Sequence, residues 1–176
     1  MLFTDRSIWT MVHGIGLGGA ALMGLAAAMF YLYAAPNSER SGDAPTASRA
    51  LAGVTIFTAA MLWLTVLVGT YVIFPPYRAT PPDGVTDLTQ FPRALVLASP
   101  GTEWLHAFAM ESKEHMPWIA SMLATAVAFV SARYRSRVLD DAALRNMATT
   151  LLAISFALAA FMSLLGVFVN KVAPLQ

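Results

Sequence analysis

The sequence predicts an all-α fold, an integral membrane bundle of four transmembrane helices, and three observations carry that prediction. Hydrophobic residues make up 57% of the 176 positions and charged residues 12%, against about 45–50% and about 25% in soluble domains. Mean hydropathy is +0.62. Four apolar stretches, at about 7–33, 51–74, 104–132 and 147–169, each match or exceed the ~20 helical residues that cross a hydrocarbon core of about 30 Å. They form one transmembrane domain over 1–176. Helices are required because lipid offers no partner to open backbone groups. A β-barrel needs alternating segments of about ten residues, and these stretches do not alternate.

The same figures exclude whole classes of function. Disorder needs low hydrophobicity and high net charge, and the net charge here is +1. That balance supplies no cationic face, so no nucleic-acid partner is expected. With no cysteine, disulfides, thiolate zinc sites, cysteine-held iron–sulfur clusters, a catalytic thiol and CxxCH haem attachment all drop out.

The first stretch follows Asp5 and Arg6 and ends near Tyr33. Its apolar run exceeds the about 7–15 residues of a signal-peptide core, so it is expected to remain as a span. A polar, turn-rich connection, Pro36 to Asp43, leads to the second stretch. Between the second and third lies an outer loop, 75–101, with the pairs Pro75-Pro76 and Pro81-Pro82 and a further Pro92. It is too short and proline-rich to form a second domain. The last connection carries Arg133, Arg135, Arg137, Asp140, Asp141 and Arg145.

Orientation follows the basic residues. One side holds Arg6, Arg78, Arg93 and Lys171; the other holds Arg40, Arg49, Arg133, Arg135, Arg137 and Arg145. The cluster at Arg133–Arg137 hugs a helix end, where the bias acts most strongly. The expected placement is a bacterial inner membrane with both termini outside.

Helices associate in lipid through small residues. The expected stripes are Gly16, Ala20, Gly24 and Ala27, with His13 continuing the row; Thr58, Leu62, Thr65 and Gly69; Ser121, Ala124, Thr125 and Ala128; and Ser155, Ala159, Ser163, Gly166 and Asn170.

The passage Glu103 to Trp118 concentrates the chemistry, with His106, His115, Lys113 and the carboxylates Glu103, Glu111 and Glu114. Ionisable groups within or beside a span are expensive and point to function. At 1.5 Å per residue, His13 lies about 30 Å from Tyr33, and His115 about 26 Å from Ala132, so the two are nearly level. Two level histidines on separate helices suit axial ligation of a b-type haem, with His13 and His115 as metal ligands. Helix phase favours a different partner. His106, Met110, Lys113, Glu114 and Pro117 share a face that continues into Ser121 and Ala124, whereas His115 sits about 180° from His106 with Glu111, Trp118 and Met122. The pair His13–His115 therefore ranks first by level, and His13–His106 second by face. Arg78 suits a haem propionate or the headgroups, and Tyr71 and Tyr77 read as interfacial by position. Glu111, Lys113 and Glu114 suit proton relay or a quinone headgroup.

Each of these groups also has a plainer reading: interfacial histidines, local helix pairs and a snorkelling lysine. No HExxH, phosphate-binding glycine loop or Gly-x-Ser-x-Gly elbow occurs. No catalytic residue is assigned, and a redox or accessory subunit is expected rather than a stand-alone enzyme. At the level of class, the pattern resembles small four-helix membrane cytochromes and anchor subunits. The expectation is a membrane subunit of a respiratory or photosynthetic electron-transfer assembly. It would hold haem b near the outer face, contact quinone, and have the lipid bilayer and other membrane subunits as partners. The alternative is a cofactor-free accessory or assembly subunit docked on a larger complex; a third reading makes the histidines a pigment or metal site.

Overall fold

The computed structural model describes residues 4–40 and 44–174. Among them are four helices long and apolar enough to cross a membrane: α1 (Asp5–Ala34), α2 (Pro45–Arg78), α4 (Leu105–Tyr134) and α6 (Ala142–Val172). Two short helices join them, α3 (Pro92–Leu97) and α5 (Ser136–Asp140). The spanning helices neighbour one another in the cyclic order α1, α2, α4, α6, so α1 faces α4 across a diagonal. The result is an all-α four-helix bundle. One end carries Thr4, Pro174 and the 75–101 connection and is called the terminal end below; the other is the arginine end.

The helix starts follow from side-chain chemistry. Thr4 and Ser7 form a reciprocal capping box at α1, each side-chain oxygen accepting the other's backbone N–H at 3.2 and 3.0 Å. Asp141 caps α6 by accepting from the N–H groups of Ala143 and Leu144 at 2.8 and 3.3 Å. Helix α2 runs on through Pro75 and Pro76 to Arg78, because both prolines stand in the first turn of a renewed helical segment, where an N–H is not needed.

Lipid is as apolar as leucine, so close packing rather than water exclusion holds such helices together. Towards the arginine end the packing is regular: Ala21, Leu25, Ala28 and Leu32 meet Leu51, Ala59, Leu62, Ala124, Val127, Ala128 and Leu152 in one buried cluster. Gly24 permits the α1–α2 approach, since a Cβ there would stand 3.2 Å from Thr58 Cβ and closer still to its hydroxyl. Ser155 donates across the bundle to the Ala120 carbonyl at 3.1 Å, and Trp63 Nε1 donates to Thr125 Oγ1 at 2.9 Å.

The expected first-span stripe needs correction. Gly24 lies in it, but Gly16 is exposed, with nothing near a built Cβ. The inward row of α1 is Gly18, Ala21, Leu25, Ala28 and Leu32. The cause is drift: steps of four along Gly24, Ala20 and Gly16 turn away from the inward row by about 40° each, while the π-helical segment Val12–Gly18 turns His13 back inward. The second-span stripe faces inward as expected, with Thr58 and Leu62 buried and Thr65 and Gly69 partly so. In the fourth span the row drifts: Ser155 is buried, while Ser163 and Asn170 are exposed and Met162, Leu165 and Val169 take the inside.

The 75–101 connection is more than a loop. Pro92 and Val96 of α3 are buried, and Val96 joins Tyr77, Leu105, Ala109, Met110, Met162, Leu165 and Val169 in a second apolar cluster. The connection therefore closes the terminal end of the bundle.

Candidate functional site

Three of the four spanning helices depart from α geometry, and all do so towards the terminal end: Val12–Gly18 in α1, Gly69–Ile73 in α2 and Leu105–Met110 in α4 are π-helical. Widened turns of this kind misalign carbonyls, redirect side chains, and recur where proteins build sites. Here they gather around the chain's ionisable interior groups.

His13 stands in the first of these segments, partly buried, with its imidazole against the backbone of α2. A Cβ on Gly69 would lie 2.8 Å from His13 Cε1, so only glycine admits the ring as placed. His13 Nδ1 is buried and has no hydrogen-bond partner. On the diagonally opposite helix, Lys113 repeats the arrangement against α6. Its ammonium reaches the Met162 carbonyl at 3.5 Å, and a Cβ on Gly166 would stand 2.6 Å from Nζ. Each spanning helix thus contributes one member, His13 on Gly69 and Lys113 on Gly166. Two groups able to carry positive charge share the interior, neither bonded to a carboxylate among the described residues.

Beside them a cavity of about 50 Å³ is lined by Gly18, Ala21, Leu62, Thr65, Val66, Pro117, Ala120, Ala159 and Ser163. It has room for water but not for a ring system. Its wall can hold water: Thr65 and Ser163 spend their protons on Met61 and Ala159 carbonyls at 2.7 and 2.8 Å and keep oxygen lone pairs. Pro117 has no N–H for the Lys113 carbonyl one turn earlier.

Nearer the terminal end, Tyr77 OH and His106 Nδ1 are 3.2 Å apart. Tyr77 is 3% exposed and stacks on Phe74. Its reading as an interfacial residue is therefore corrected: the turn after Pro75-Pro76 folds it under α3, where its ring is core and its hydroxyl needs a partner. That hydroxyl orients the His106 ring through Nδ1.

The remaining candidates are dispersed. His115 is exposed and donates Nδ1–H to the Glu111 carbonyl one turn back at 2.9 Å. The structure does not place it on the inward face that carries Met110, Lys113 and Pro117. Glu111 is exposed and Glu114 partly buried. Arg78 is exposed, its guanidinium 5.3 Å above the Phe74 ring. Trp118 meets Trp63 edge-on at 5.7 Å. Among the described residues, no three His, Cys, Asp or Glu side chains converge as a metal site would require. What sequence reasoning missed is the part played by the glycines: Gly69 and Gly166 stood in the small-residue stripes, but nothing in the stripes shows that a ring and an ammonium rest on them.

Fold and site together define a class: a helical membrane protein with an interior polar site near one end. No protein-family model, curated protein or solved structure matches this chain.

Proposed function

We propose that this chain is a membrane subunit of an electron-transfer assembly, respiratory or photosynthetic, and that His13, Lys113, His106 and Tyr77 form its working site. The observation that carries the reading is the interior pairing of His13 on Gly69 and Lys113 on Gly166. Partly buried ionisable groups inside a lipid-facing bundle are costly and mark a site by default.

A b-type haem, when bound, supplies one-electron transfer; the chain supplies its ligands and surroundings. The donor chemistry fits a bis-histidine site. His13 has a buried ring nitrogen without a partner. His106 has one nitrogen oriented by Tyr77, the arrangement that commonly fixes a metal-ligating histidine. His106, which shares the inward face, is therefore preferred over His115 as the partner of His13. Lys113 suits the charge of a propionate or the carbonyl oxygen of a quinone, and the cavity lined by Thr65 and Ser163 suits proton exchange with it.

A second reading has its own support. His13 and Lys113 already fill the space above their glycines, and the neighbouring cavity holds about 50 Å³. A closed interior of this kind suits a cofactor-free accessory subunit.

Optical spectra of the full chain, purified from a haem-replete host, separate the two. The electron-transfer reading expects a reduced b-type spectrum that is lost in His13→Ala and His106→Ala and kept in His115→Ala. A colourless preparation without extractable haem or quinone overturns that reading and leaves the accessory one. A spectrum unchanged in His13→Ala ends the bis-histidine assignment.

A further inference from the structure

The arginine end carries a feature that the interior site does not use. The first turn of α2 and the break between α4 and α5 enclose an open cavity of about 460 Å³, lined by Pro45, Ser48, Arg49, Arg135 and Ser136. Among the described residues, two arginines and two serines line it and no carboxylate does.

Backbone strain singles out the same place. Arg135 has φ 47° and ψ −115°, the only positive φ outside glycine among the described residues. That conformation costs a side-chain-bearing residue about 1–3 kcal/mol and favours glycine. The sharp turn itself has a structural cause, since it swings α5 back so that Val138 and Leu139 are fully buried. That burial explains the turn but not the presence of arginine at its tightest point. An arginine there is held on the rim of the cavity opposite Arg49, which stands one turn into α2.

We propose that this cavity binds a phosphate group, and that its natural source is the headgroup of an anionic lipid. Guanidinium presents a planar fork of donors that matches phosphate oxygens, and two forks on different helices give a phosphate more than one fixed direction of approach. The site lies where apolar helix gives way to polar connection, the level at which headgroups meet a membrane protein and basic pockets between helices recruit anionic lipid. Ser48 already spends its proton on the Pro45 carbonyl at 3.0 Å, so the arginines carry the recognition.

The test uses the full chain in mild detergent, with native mass spectrometry to count adducts of phosphatidylglycerol and of phosphatidylcholine with the same acyl chains. Arg49→Gln and Arg135→Gly alter the cavity. Arg133→Gln and Arg137→Gln remove the same charge beside it. The expected result is a phosphatidylglycerol adduct preferred over phosphatidylcholine, weakened roughly fivefold by either cavity variant and roughly twenty-five-fold by both, at about 1 kcal/mol per arginine. The flanking variants should leave it unchanged. Arg135→Gly relieves the backbone strain, so its melting temperature should not fall and a lost adduct reports the guanidinium rather than misfolding. Millimolar inorganic phosphate is the second arm. Binding with the same dependence on Arg49 and Arg135 supports the phosphate site and moves its source to a soluble ligand. Equal weakening by flanking and cavity variants, or no preference for either phosphate-bearing anion, overturns the proposal.

Discussion

The two halves of the bundle solve the same packing problem differently. Towards the arginine end the helices stay regular and meet through alanine, leucine and Gly24, with the Thr58 hydroxyl bonded on its own helix and that of Ser155 across to the next. Towards the terminal end three helices open into π turns, glycines carry an imidazole and an ammonium instead of a neighbouring side chain, and a short helix covers the top. Regular α packing leaves no carbonyl free and no room for a polar head. A half that must house His13 and Lys113 gives up regularity to obtain both. The comparison locates regular packing in one half and the interior ionisable groups in the other.

Substitution at glycine is the strongest way to break that comparison. Gly24→Leu drives a side chain into Thr58, whose hydroxyl is tied to the Val54 carbonyl at 2.7 Å, so the helix backbones must part. Overpacking of this kind costs about 3 kcal/mol, and the melting temperature of the solubilised protein should fall sharply. Gly16→Leu points into open space and should melt like the parent. Equal losses in both would return the stripe to Gly16 and overturn the inward row of Gly18, Ala21 and Leu25.

A smaller effect separates the two glycines of the polar half. Gly69→Ala brings a Cβ against a ring held between helices, whereas Gly166→Ala meets only the mobile end of a lysine. The first should cost about 1–2 kcal/mol and displace the histidine resonances of ¹⁵N-labelled protein; the second should cost under about 0.5 kcal/mol. The reverse order would mean that Lys113, not His13, is the rigid member.

Next comes Tyr77→Phe, which keeps the buried ring and removes the hydroxyl facing His106. Loss of one neutral hydrogen bond predicts about 1 kcal/mol of destabilisation. A double-mutant cycle with His106→Ala should recover most of that as coupling, and the absence of coupling would detach His106 from the site.

The smallest effect lies outside the membrane. The Asp87 carboxylate accepts the Thr89 N–H at 3.0 Å, and that bond holds its pKa below the usual value. A lowered folded pKa contributes stability above the ordinary carboxylate range and loses it as pH falls through the lowered value. Asp87→Asn should therefore melt slightly below the parent at neutral pH and converge with it in acid, and an NMR titration should show Asp87 titrating below a free aspartate. An upward shift would contradict the turn geometry of the connection.

The sequence by itself determined what is additive along the chain. Four spans follow from summed hydropathy and a bilayer of fixed thickness. The inward face of α4 follows from 3.6-residue periodicity, which brought Met110, Lys113 and Pro117 together and set His115 apart. The tertiary structure alone decided what depends on neighbours. A π turn has no composition of its own; it forms where the packed surroundings repay a strained hydrogen bond. For that reason the register of His13 and the seats at Gly69 and Gly166 lay outside any count along one helix. The burial of Tyr77 and Val96 was hidden in the same way, because a proline-rich connection looks like loop until the helix end it covers is in place. Arg135 carries the point furthest: nothing in its sequence neighbourhood marks a glycine-like backbone, which arises only because Val138 and Leu139 must turn back to reach the core.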